Sequence, residues 1–595
     1  MMENELASPR NLNLSEIYRD QEAAFLRQEA EKQRAKISVL RDRVLQEPHN
    51  PSAYIDLAGA LGTSADSVKV LQEGLAQCQP HLKLYRKAVY TLWDGNRIDE
   101  ALEVIRCAEE LFPGDMLFRF LEELILPVLY ETPEDIQRYR SRFSSGLQRL
   151  TATLELDTPD ARHAALDAVT RHTNFYLPYQ GENDRELQRQ YGELVCRIMA
   201  ANYPQWTRPP DMPPLSPGGK IRVGYVSEEF RNHSVSKTQL GWLVELDRQP
   251  FEVFAYYVRR KVDAVTEEAR RSSDHFYHIP DDLEQTCQAI LADDLHIVVF
   301  LDIGMDPLMT QLAALRLAPI QCVAWGHPVT SGLPTVDYFL SGELMEPEDG
   351  QDHYSERLIR LPGIATCYRK PVIPRPLLGK SRADFGLGED RRVFLCCQSS
   401  FKYLPQHDDV FVRIAKRSPA SQFVFLGFND LVGNDFRARL DRAFAAEGLE
   451  ARNHCIILRA HSWFDYFNLA LVSDAFLDSL EWSGGITTFE AVACGLPVLT
   501  LPGRFMRGRQ SYGILTQLGV TDTIARNKQE YGDIAVRLAQ DREWRAQILK
   551  RMKANFHLLY SDTRSVRALE DFFRDKVTER LGKYHASRPT PDFVL

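Results

Sequence analysis

The stretch from Asp478 to Gly503, DSLEWSGGITTFEAVACGLPVLTLPG, constrains the fold more than any other. An apolar run ends at Asp478, small residues follow, and TTFEAVACG then has helical spacing and stops at Gly495 before a second apolar run. This order predicts a strand, a turn, a helix and a second, parallel strand, which together form a compact unit of an α/β sheet. The turn of such a unit lies at the carboxyl edge of the sheet, where α/β proteins bind ligands.

The residues of this turn suit an anionic ligand. Gly484 and Gly485 allow a phosphate to approach the backbone closely, and Thr487 and Thr488 mark the predicted helix start, with its unpaired N–H groups and positive dipole end. Glu490, three residues after Thr487, is placed either to close a capping box or to bind ribose hydroxyls. An ordinary capped helix is the alternative interpretation.

Bulk properties narrow the class of protein. A chain of 595 residues is expected to form roughly three or four domains. Its net charge of -10 argues against a main role in binding nucleic acid or anionic membranes. The N-terminal residues lack a secretory pattern, and no apolar run reaches membrane-spanning length. The ten cysteines contain no CxxC pair, so reduced thiols and a cytoplasmic location are expected.

The pattern of apolar and turn residues divides the chain into helical and α/β parts. Alternating strands and helices after the Pro-rich segment Thr207 to Lys220 predict two doubly wound parallel sheets, with a ligand cleft between their carboxyl edges. The predicted segments are a leading helical segment 1–48, TPR-like helical repeats 49–142, a helical connector and Pro-rich linker 143–217, a first Rossmann-like lobe 218–380, a second, nucleotide-sugar-binding lobe 381–580 and a tail 581–595.

The repeat prediction depends on one clear unit, LKLYRKAVYTLWDGNRIDEALEVIRCAEELFPG, residues 82–114. Tyr85 and Ala88 lie on its first predicted helix, and Ala101, Ile105 and Ala108 lie on its second. Small residues let two helices approach while the aromatic ring fills the gap, as in tetratricopeptide repeats. Generic α-hairpins are the alternative.

Polar residues in the loops that follow the predicted strands are the candidate site residues. Lys402 follows an apolar strand, where an ammonium group can neutralise a departing diphosphate. His233 is a candidate general base or hydrogen-bond donor to a phosphate, and capping of the next helix is the alternative. No GxxxxGK[ST], HExxH or strand-end DxD motif is present, so a mechanism without a metal or other cofactor is expected. Other loop residues complete the predicted set: Gln398, His461, Arg507 and Arg509 for the donor, and His327, Pro328 and Thr330 for an acceptor or sugar.

Several long motifs resemble one known family. They are RVGYVSEEFRNHSVS (222–236), LAPIQCVAWGHPVTSGLPTVDY (317–338), SFKYLP (400–405), SGGITTFEA (483–491), GLPVLTLPG (495–503) and RNKQEY (526–531). In this order they resemble the glycosyltransferases that include the O-GlcNAc transferase, the plant protein SPINDLY and bacterial relatives, known as glycosyltransferase family 41. The resemblance covers about residues 218–575.

The resemblance implies a GT-B fold and an inverting, metal-independent transfer of a sugar from a nucleotide-diphosphate donor to Ser or Thr of a protein. By this resemblance Lys402 contacts the donor phosphates and His233 lies near the phosphates and the acceptor. Thr487 and Thr488 match the hydroxyl cluster of the phosphate-binding helix, Glu490 matches the ribose-binding acid, and Arg509 matches a basic residue of the loop after Pro502-Gly503.

The chain also departs from the O-GlcNAc transferase pattern. Gly485-Ile486-Thr487 stands where that enzyme has His-Thr-Thr, and the long insertion between the lobes is absent. The motifs HSVS and SGLPTVDY, together with Glu490, are closer to SPINDLY, which resembles a fucosyltransferase. The donor is therefore expected to be UDP-GlcNAc, with GDP-fucose as the alternative. The acceptor is expected to be Ser or Thr, and Asn is the alternative acceptor residue.

Two other function classes compete with protein glycosylation. One is a nucleotide-sugar epimerase or hydrolase on the same architecture, and the other is a non-catalytic repeat scaffold. The expected partners are the nucleotide sugar and acceptor proteins bound through the helical repeats, with neither nucleic acid nor membrane, and a homo-oligomer is left open.

Overall fold

The computed structural model describes residues 9–373, 379–459 and 463–587, with side chains for 27–373, 379–458 and 464–582. The chain forms two compact units. The first unit consists of Met1–Phe143, Pro371–Pro502 and Val520–Lys553, and the second consists of Ser144–Lys370, Gly503–Gly519 and Ala554–Leu595. Among the helices of the described ranges, none combines the length and the apolar character that crossing a membrane requires.

The first unit begins with the helical repeats. The pairs α2/α3 and α4/α5 pack as antiparallel hairpins, and the predicted unit of residues 82–114 contains the second pair. Ala101, Ile105 and Ala108 are fully buried on α5, so the backbones approach closely, and the ring of Tyr85 packs edge-on to Phe112. The helices are α1 (Pro9–Gln46), α2 (Pro51–Leu61), α3 (Ala65–Gln77), α4 (Leu82–Asp94), α5 (Ile98–Leu111), α6 (Met116–Leu124) and α7 (Pro133–Thr153), of which α7 belongs to this unit as far as Phe143.

The same unit contains a five-stranded parallel sheet that corresponds to the second predicted lobe. Numbered along the whole chain, its elements are β8 (Arg392–Ser399), α14 (Asp409–Arg417), β9 (Ser421–Gly427), α15 (Asp430–Ala445), β10 (Cys455–Arg459), α16 (Trp463–Val472), β11 (Ala475–Leu477), α17 (Ile486–Cys494), β12 (Val498–Leu499), α19 (Lys528–Gln540) and α20 (Arg542–Ala554). The strand order is β10-β9-β8-β11-β12. The predicted unit of Asp478 to Gly503 is therefore confirmed as β11, α17 and β12, with β11 and β12 parallel.

The repeats pack against helix α15 of this sheet. The Nδ2 group of Asn429, at the start of α15, donates to the carbonyl of Asp94 at 2.8 Å. Asn96 Nδ2 donates to Asp435, six residues further along the chain, at 3.2 Å. Gly95 lies so close to Leu431 that a Cβ atom would meet that side chain at 2.6 Å. The turn between α4 and α5 is thus a docking point within the first unit.

The second unit contains a seven-stranded parallel sheet of order β3-β2-β1-β4-β5-β6-β7. Its strands and helices are α8 (Pro159–Val169), α9 (Arg185–Asn202), β1 (Ile221–Ser227), α10 (Ser234–Val244), β2 (Phe251–Tyr257), α11 (Ala264–Arg271), β3 (His275–His278), α12 (Leu283–Ala292), β4 (Ile297–Phe300), α13 (Pro307–Ala313), β5 (Ile320–Ala324), β6 (Tyr338–Gly342), β7 (Arg357–Leu361), α18 (Gln510–Gln517), α21 (Phe556–Leu559) and α22 (Arg564–Ser587). Strand order reverses between β1 and β4, which makes their carboxyl ends the switch point of this sheet.

Two strands of this sheet escaped the sequence prediction. The strands β3 and β7 form its edges, and their residues are mostly half-exposed or exposed rather than buried. A half-exposed edge strand lacks the continuous apolar run by which the central strands were recognised.

Helix α9 packs with unusual closeness on the loop after β5. Gly332 has a φ of 71°, and a Cβ atom there would lie 2.0 Å from the carbonyl oxygen of Gln188. Gly192 faces the carbonyl of Gly332 in the same way, at 2.3 Å. Both positions admit only glycine because the neighbouring atoms are backbone and cannot rotate away.

We expect Gly332→Ala to lower the free energy of unfolding by about 3 kcal/mol or more, from backbone overlap and a left-handed φ. Gly582→Ala is the matched control, since Gly582 lies within α22 and a Cβ there meets nothing within 4 Å. That control should be neutral or stabilising by up to about 1 kcal/mol. Chemical denaturation of the three proteins measures both effects, and equal stability of the two variants would contradict the close packing.

Candidate functional site

A lysine, a glutamine and a threonine form one hydrogen-bonded chain at the carboxyl edge of the five-stranded sheet. Strand β8 ends at Ser399, and a 3-10 turn, Ser400–Lys402, brings the lysine back over the strand end. The Lys402 ammonium donates to Oε1 of Gln398 at 3.0 Å. Nε2 of Gln398 in turn donates to Oγ1 of Thr487 at 2.6 Å. Residues 85 positions apart in the chain therefore meet at the start of α17.

The environment of Lys402 weakens its hold on the proton. Burial lowers the pKa of Lys402 from 10.5 to about 8, and the thiol of Cys397 and the carboxylate of Asp478 offset only part of that effect. The ammonium lies 5.8 Å from the ring centre of Trp482. Its direct hydrogen bond goes to a neutral amide, so a nearby anion would stabilise the charged form strongly.

Asp478 holds the glycine turn from below. Its Oδ1 accepts from the N–H of Gly484 at 2.7 Å, and its Oδ2 accepts from the hydroxyls of Ser483 at 2.6 Å and Thr500 at 2.7 Å. The main-chain oxygen of Asp478 accepts from the Tyr531 hydroxyl at 2.8 Å. A single buried carboxylate thus joins the turn to both flanking strands.

Gly484 lies where the polar groups converge. A Cβ atom on Gly484 would lie 2.7 Å from the hydroxyl oxygens of Thr487 and Thr488, and 2.9 Å from Nε2 of Gln398. Any larger residue would push these three groups apart. The predicted donor residues Gly484, Thr487, Thr488 and Gln398 therefore surround one point, to which Lys402 is joined through Gln398.

Helix α17 starts one residue earlier than predicted. It begins at Ile486 with Gly485 as its N-cap, so the N–H groups of Ile486 and Thr487 precede the first intrahelical bond. The N–H of Thr488 already donates to the carbonyl of Gly485 at 3.0 Å, which corrects its predicted main-chain role. The capping box at Glu490 is wrong for the same reason: this residue falls in the second turn, where it is buried. Ribose binding by Glu490 stays a prediction.

The sequence missed two supporting residues of this site. Tyr466 donates its hydroxyl to the carbonyl of Thr487 at 2.7 Å, and Tyr403 accepts at its hydroxyl from the N–H of Gln398 at 3.3 Å. Neither tyrosine carries a local signal, because its partner is distant in sequence or its ring is part of the core. Asp478 had a signal, as the acid that ends an apolar run. The predicted donor residue His461 lies outside the described residues.

His233, in the second unit, caps helix α10. Its Nδ1 accepts from the N–H of Val235 at 3.4 Å, and the side chain is about a third exposed. Burial, together with the positive charges of Arg231 and Lys237, lowers the pKa of His233 to about 4. The ring is therefore neutral at pH 7. Because Nδ1 accepts, the proton resides on Nε2, and His233 presents a hydrogen-bond donor rather than a base.

The two predicted arginines of the loop after Gly503 differ in burial and in their contacts. Arg507 is buried, forms an ion pair with Asp184 at 3.1 Å and lies over the ring of Phe505, so it is neither a solvated residue nor an exposed phosphate fork. Arg509 is half-buried, and its Nε donates to the carbonyl of Met345 at 3.2 Å. A donor contact by Arg509 stays a prediction.

The predicted acceptor residues lie on the loop after β5. The ring of His327 stacks on Phe175 with ring centres 5.6 Å apart. The Thr330 hydroxyl is buried and donates to Glu356 at 2.6 Å, so it holds the loop in place. Pro328 and Thr330 line a small cavity together with His353, Tyr354, Phe505 and Arg507. Contact of His327, Pro328 or Thr330 with a substrate stays a prediction.

The loops Glu228 to Lys237 and Asp302 to Asp306, which the sequence places at strand ends, bring together a carboxylate cluster at the switch point of the seven-stranded sheet, for which the sequence indicated no role. Glu228 and Asp302 follow β1 and β4, and Oδ2 of Asp302 accepts from the N–H of Glu228 at 3.2 Å. Arg259 bridges Glu228 at 2.8 Å and Asp306 at 3.0 Å. Burial and the neighbouring acids raise the pKa of Glu228 to about 10. Within the described ranges, no group of three or more His, Cys, Asp or Glu side chains is arranged to hold a metal ion.

Comparisons with known proteins identify relatives of the chain. The model of glycosyl transferase family 41 matches residues 143–368 and 363–563. The probable UDP-N-acetylglucosamine--peptide N-acetylglucosaminyltransferase SEC of Arabidopsis thaliana is 27% identical over 386 residues, which is 62% of this chain and 38% of the plant protein. The corresponding SPINDLY protein of Arabidopsis thaliana is 27% identical over 397 residues, 64% of this chain and 41% of that protein. The chain spans about two fifths of the length of these curated relatives.

One solved structure has the same fold along most of the chain. A mutant of the Thermobaculum terrenum O-GlcNAc transferase superposes with a TM-score of 0.67 at 22% identity, over 93% of this chain and 99% of that one. This likeness, with the two parallel sheets and the preceding helices, confirms the predicted GT-B fold.

Replacing Asp478 tests whether its carboxylate holds the glycine turn. We expect Asp478→Asn to lower the free energy of unfolding by about 2 kcal/mol, because the amide cannot accept all three buried donors. Asp533→Asn is the matched control on the same unit, since Asp533 forms an exposed ion pair with Arg417 and should change stability by less than about 1 kcal/mol. Thermal or urea unfolding measures both, and equal losses would show that the turn does not depend on Asp478.

Proposed function

Since the chain belongs to glycosyl transferase family 41, we propose that it is a protein glycosyltransferase that moves a sugar from a nucleotide diphosphate to a side chain of an acceptor protein. The observation that carries this proposal is the pair of hydrogen bonds that joins Lys402 to Gln398 and Gln398 to Thr487 at the start of α17. It places an ammonium, hydroxyls and helix N–H groups around a glycine turn, which is a site for a diphosphate.

The proposed reaction is a single displacement at the anomeric carbon. The acceptor oxygen or nitrogen attacks, the bond from that carbon to the diphosphate oxygen breaks, and the configuration inverts. Negative charge then develops on the departing diphosphate. Lys402, the hydroxyls of Thr487 and Thr488 and the dipole of α17 would stabilise that charge without a metal ion.

The low pKa of Lys402 fits this role. A desolvated ammonium beside a neutral amide gains more from an incoming phosphate than a solvated lysine would, because the interaction is weakly screened. Gln398 orients the ammonium and Thr487 at once, so the cation and the helix start are preorganised before the donor binds.

The geometry of His233 favours a donor role over a basic one. Its Nδ1 is occupied by the Val235 N–H, and its low pKa makes it a poor base at pH 7. We propose that its Nε2–H binds an oxygen of the donor or acceptor. The acceptor's proton would then pass to a phosphate oxygen of the donor itself, which is the base next to the reacting carbon.

We propose UDP-GlcNAc as the donor and Ser or Thr as the acceptor. The names of SEC and SPINDLY specify UDP-N-acetylglucosamine and peptide, which supports this choice. GDP-fucose is the second candidate, because HSVS, SGLPTVDY and Glu490 resemble the SPINDLY pattern and the His-Thr-Thr cluster is replaced. The helical repeats would bind the acceptor protein, for which a repeat surface is suited.

Two nucleotides distinguish the candidate donors and the competing functions. We expect UDP to raise the melting temperature and GDP to have little effect, because a ligand that binds only the folded state stabilises it by mass action. A larger shift with GDP would instead support the fucose donor. No shift with either nucleotide would support a non-catalytic scaffold, and donor turnover without any protein product in the presence of acceptors would support a hydrolase or epimerase.

The charge of Lys402 predicts a pH profile. Lys402 is protonated below its pKa of about 8, so kcat/KM, which reports the free enzyme, should fall about tenfold per pH unit above that value. The kcat limb should lie at higher pH, because bound phosphate stabilises the ammonium. Lys402→Arg should flatten the alkaline limb, since arginine stays charged, and Lys402→Ala should lower kcat by about 100-fold or more.

The control for these variants is Lys416→Ala, which removes an exposed lysine paired with Glu447 on the same unit. It should leave both the rate and the pH profile unchanged. Full activity of a folded Lys402→Ala protein on an identified acceptor would reject the proposed role of Lys402.

A further inference from the structure

A buried arginine links the loop that carries Lys402 to the helical repeats of the same unit. Arg439, on α15, is only 3% exposed and forms a two-pronged ion pair with Asp408, with N···O distances of 2.8 and 3.1 Å. Its Nη2 also donates to the carbonyl of Tyr403 at 2.6 Å, and its Nη1 donates to the carbonyl of Tyr130 at 2.7 Å. One guanidinium therefore ties together three segments that are distant in sequence: its own helix α15, residues 403–408 and the segment of Tyr130.

Tyr403 connects this arginine to the site. It follows Lys402 directly in the chain, and its hydroxyl accepts from the N–H of Gln398 at the other end of the turn. Its ring stacks on Phe436 with centres 5.5 Å apart and meets Phe425 edge-on. The turn from Gln398 to Tyr403 is thus closed by the tyrosine side chain, and Arg439 fixes the tyrosine backbone.

The third acceptor, the Tyr130 carbonyl, belongs to a segment that the repeats hold firmly. The indole of Trp93 donates to the carbonyl of Leu126 at 2.8 Å. The side chain of Asn96 accepts from the N–H of Leu129 at 3.0 Å. Arg142 donates to the carbonyl of Ile125 at 2.8 Å. This segment between α6 and α7 is a rigid support on the repeat side.

We propose that Arg439 is a positioning residue for Lys402, and that the end of the repeats serves as part of the scaffold of the donor site as well as an acceptor-binding surface. The inference rests on the proposed function. A guanidinium suits the task because its planar fork reaches acceptors in three directions, whereas a lysine ammonium is a point donor. Without the fork, the Tyr403 backbone loses a buried, charge-assisted hydrogen bond, and the lysine turn gains freedom.

The chain provides a matched control one turn along the same helix. Arg442, also on α15, pairs with Glu131 of the repeats, but both side chains are exposed. It joins the same two parts of the unit without a hydrogen bond to the lysine turn. Arg442→Ala therefore removes a tie of the same kind and leaves the proposed path intact.

The experiment measures the release of nucleotide from UDP-GlcNAc, without any acceptor, by the full-length wild type, Arg439→Lys and Arg442→Ala. GDP-fucose is the substrate instead of UDP-GlcNAc if GDP is the nucleotide that raises the melting temperature. We expect Arg439→Lys to lower kcat by at least about tenfold, as displaced catalytic groups do. The alkaline limb of its pH profile should move up towards the ordinary lysine range, while Arg442→Ala stays within about twofold of wild type.

Two results would overturn the inference. One is an Arg439→Lys enzyme with the kcat and the alkaline limb of Arg442→Ala, and the other is a loss confined to transfer onto protein acceptors, which would leave the donor site unaffected. Should Arg439→Lys fail to fold, the double variant Arg439→Met with Asp408→Leu takes its place with the same expectations, because a packed apolar pair often substitutes for a buried ion pair.

A second readout separates this inference from the proposed function. The pKa of Lys402 is obtained by competitive acetylation across pH, followed by mass spectrometry, and needs no turnover. A wild type that neither releases nucleotide nor transfers sugar would refute the proposed function. Positioning by Arg439 would still be supported by a raised Lys402 pKa in Arg439→Lys alone, and an unchanged pKa would refute it.

Discussion

The arrangement of the candidate site in the first unit depends on the hydrogen bonds that the carboxylate of Asp478 accepts. This carboxylate lies under the turn between β11 and α17 and accepts from Gly484, Ser483 and Thr500 at once. The start of α17, which follows this turn, is joined to the loop of Lys402 through Gln398. A buried anion normally carries a large desolvation cost, which three short hydrogen bonds offset here. The glycines then allow Thr487, Thr488 and Gln398 to meet.

Two buried cations in this unit, Arg439 and Lys402, have different partners, and the partners indicate a structural role for the first and a chemical role for the second. Arg439 has a carboxylate partner and two carbonyls, so its charge is satisfied within the protein. Lys402 has a hydrogen bond to a neutral amide, and its pKa is lowered by burial. A cation whose charge and hydrogen bonds are all satisfied within the protein is suited to holding segments together. A desolvated ammonium bound to a neutral amide is suited to binding an incoming anion.

Much of the site was predictable because its residues carry local signals. The glycine turn, the helix of α17 and Lys402 after an apolar strand follow from spacing and composition, and the long motifs indicated the family that the family model then matched. The errors concern details that sequence spacing does not determine. The helix starts at Ile486 rather than at Thr487, so Glu490 falls outside the first turn, and Arg507, predicted to bind the donor, is buried in an ion pair with Asp184.

Alternating apolar and polar runs were enough to establish two parallel α/β sheets, helical repeats before them and the residue types around the turn, because these properties depend on neighbours within one element. Pairings between distant segments required the folded chain. The contacts of Gln398 with Thr487, of Arg439 with Tyr130 and of Gly332 with Gln188 join residues with no shared local pattern. Only packing in three dimensions decides which donor meets which acceptor, and burial then decides whether a lysine is an ordinary cation or a desolvated one.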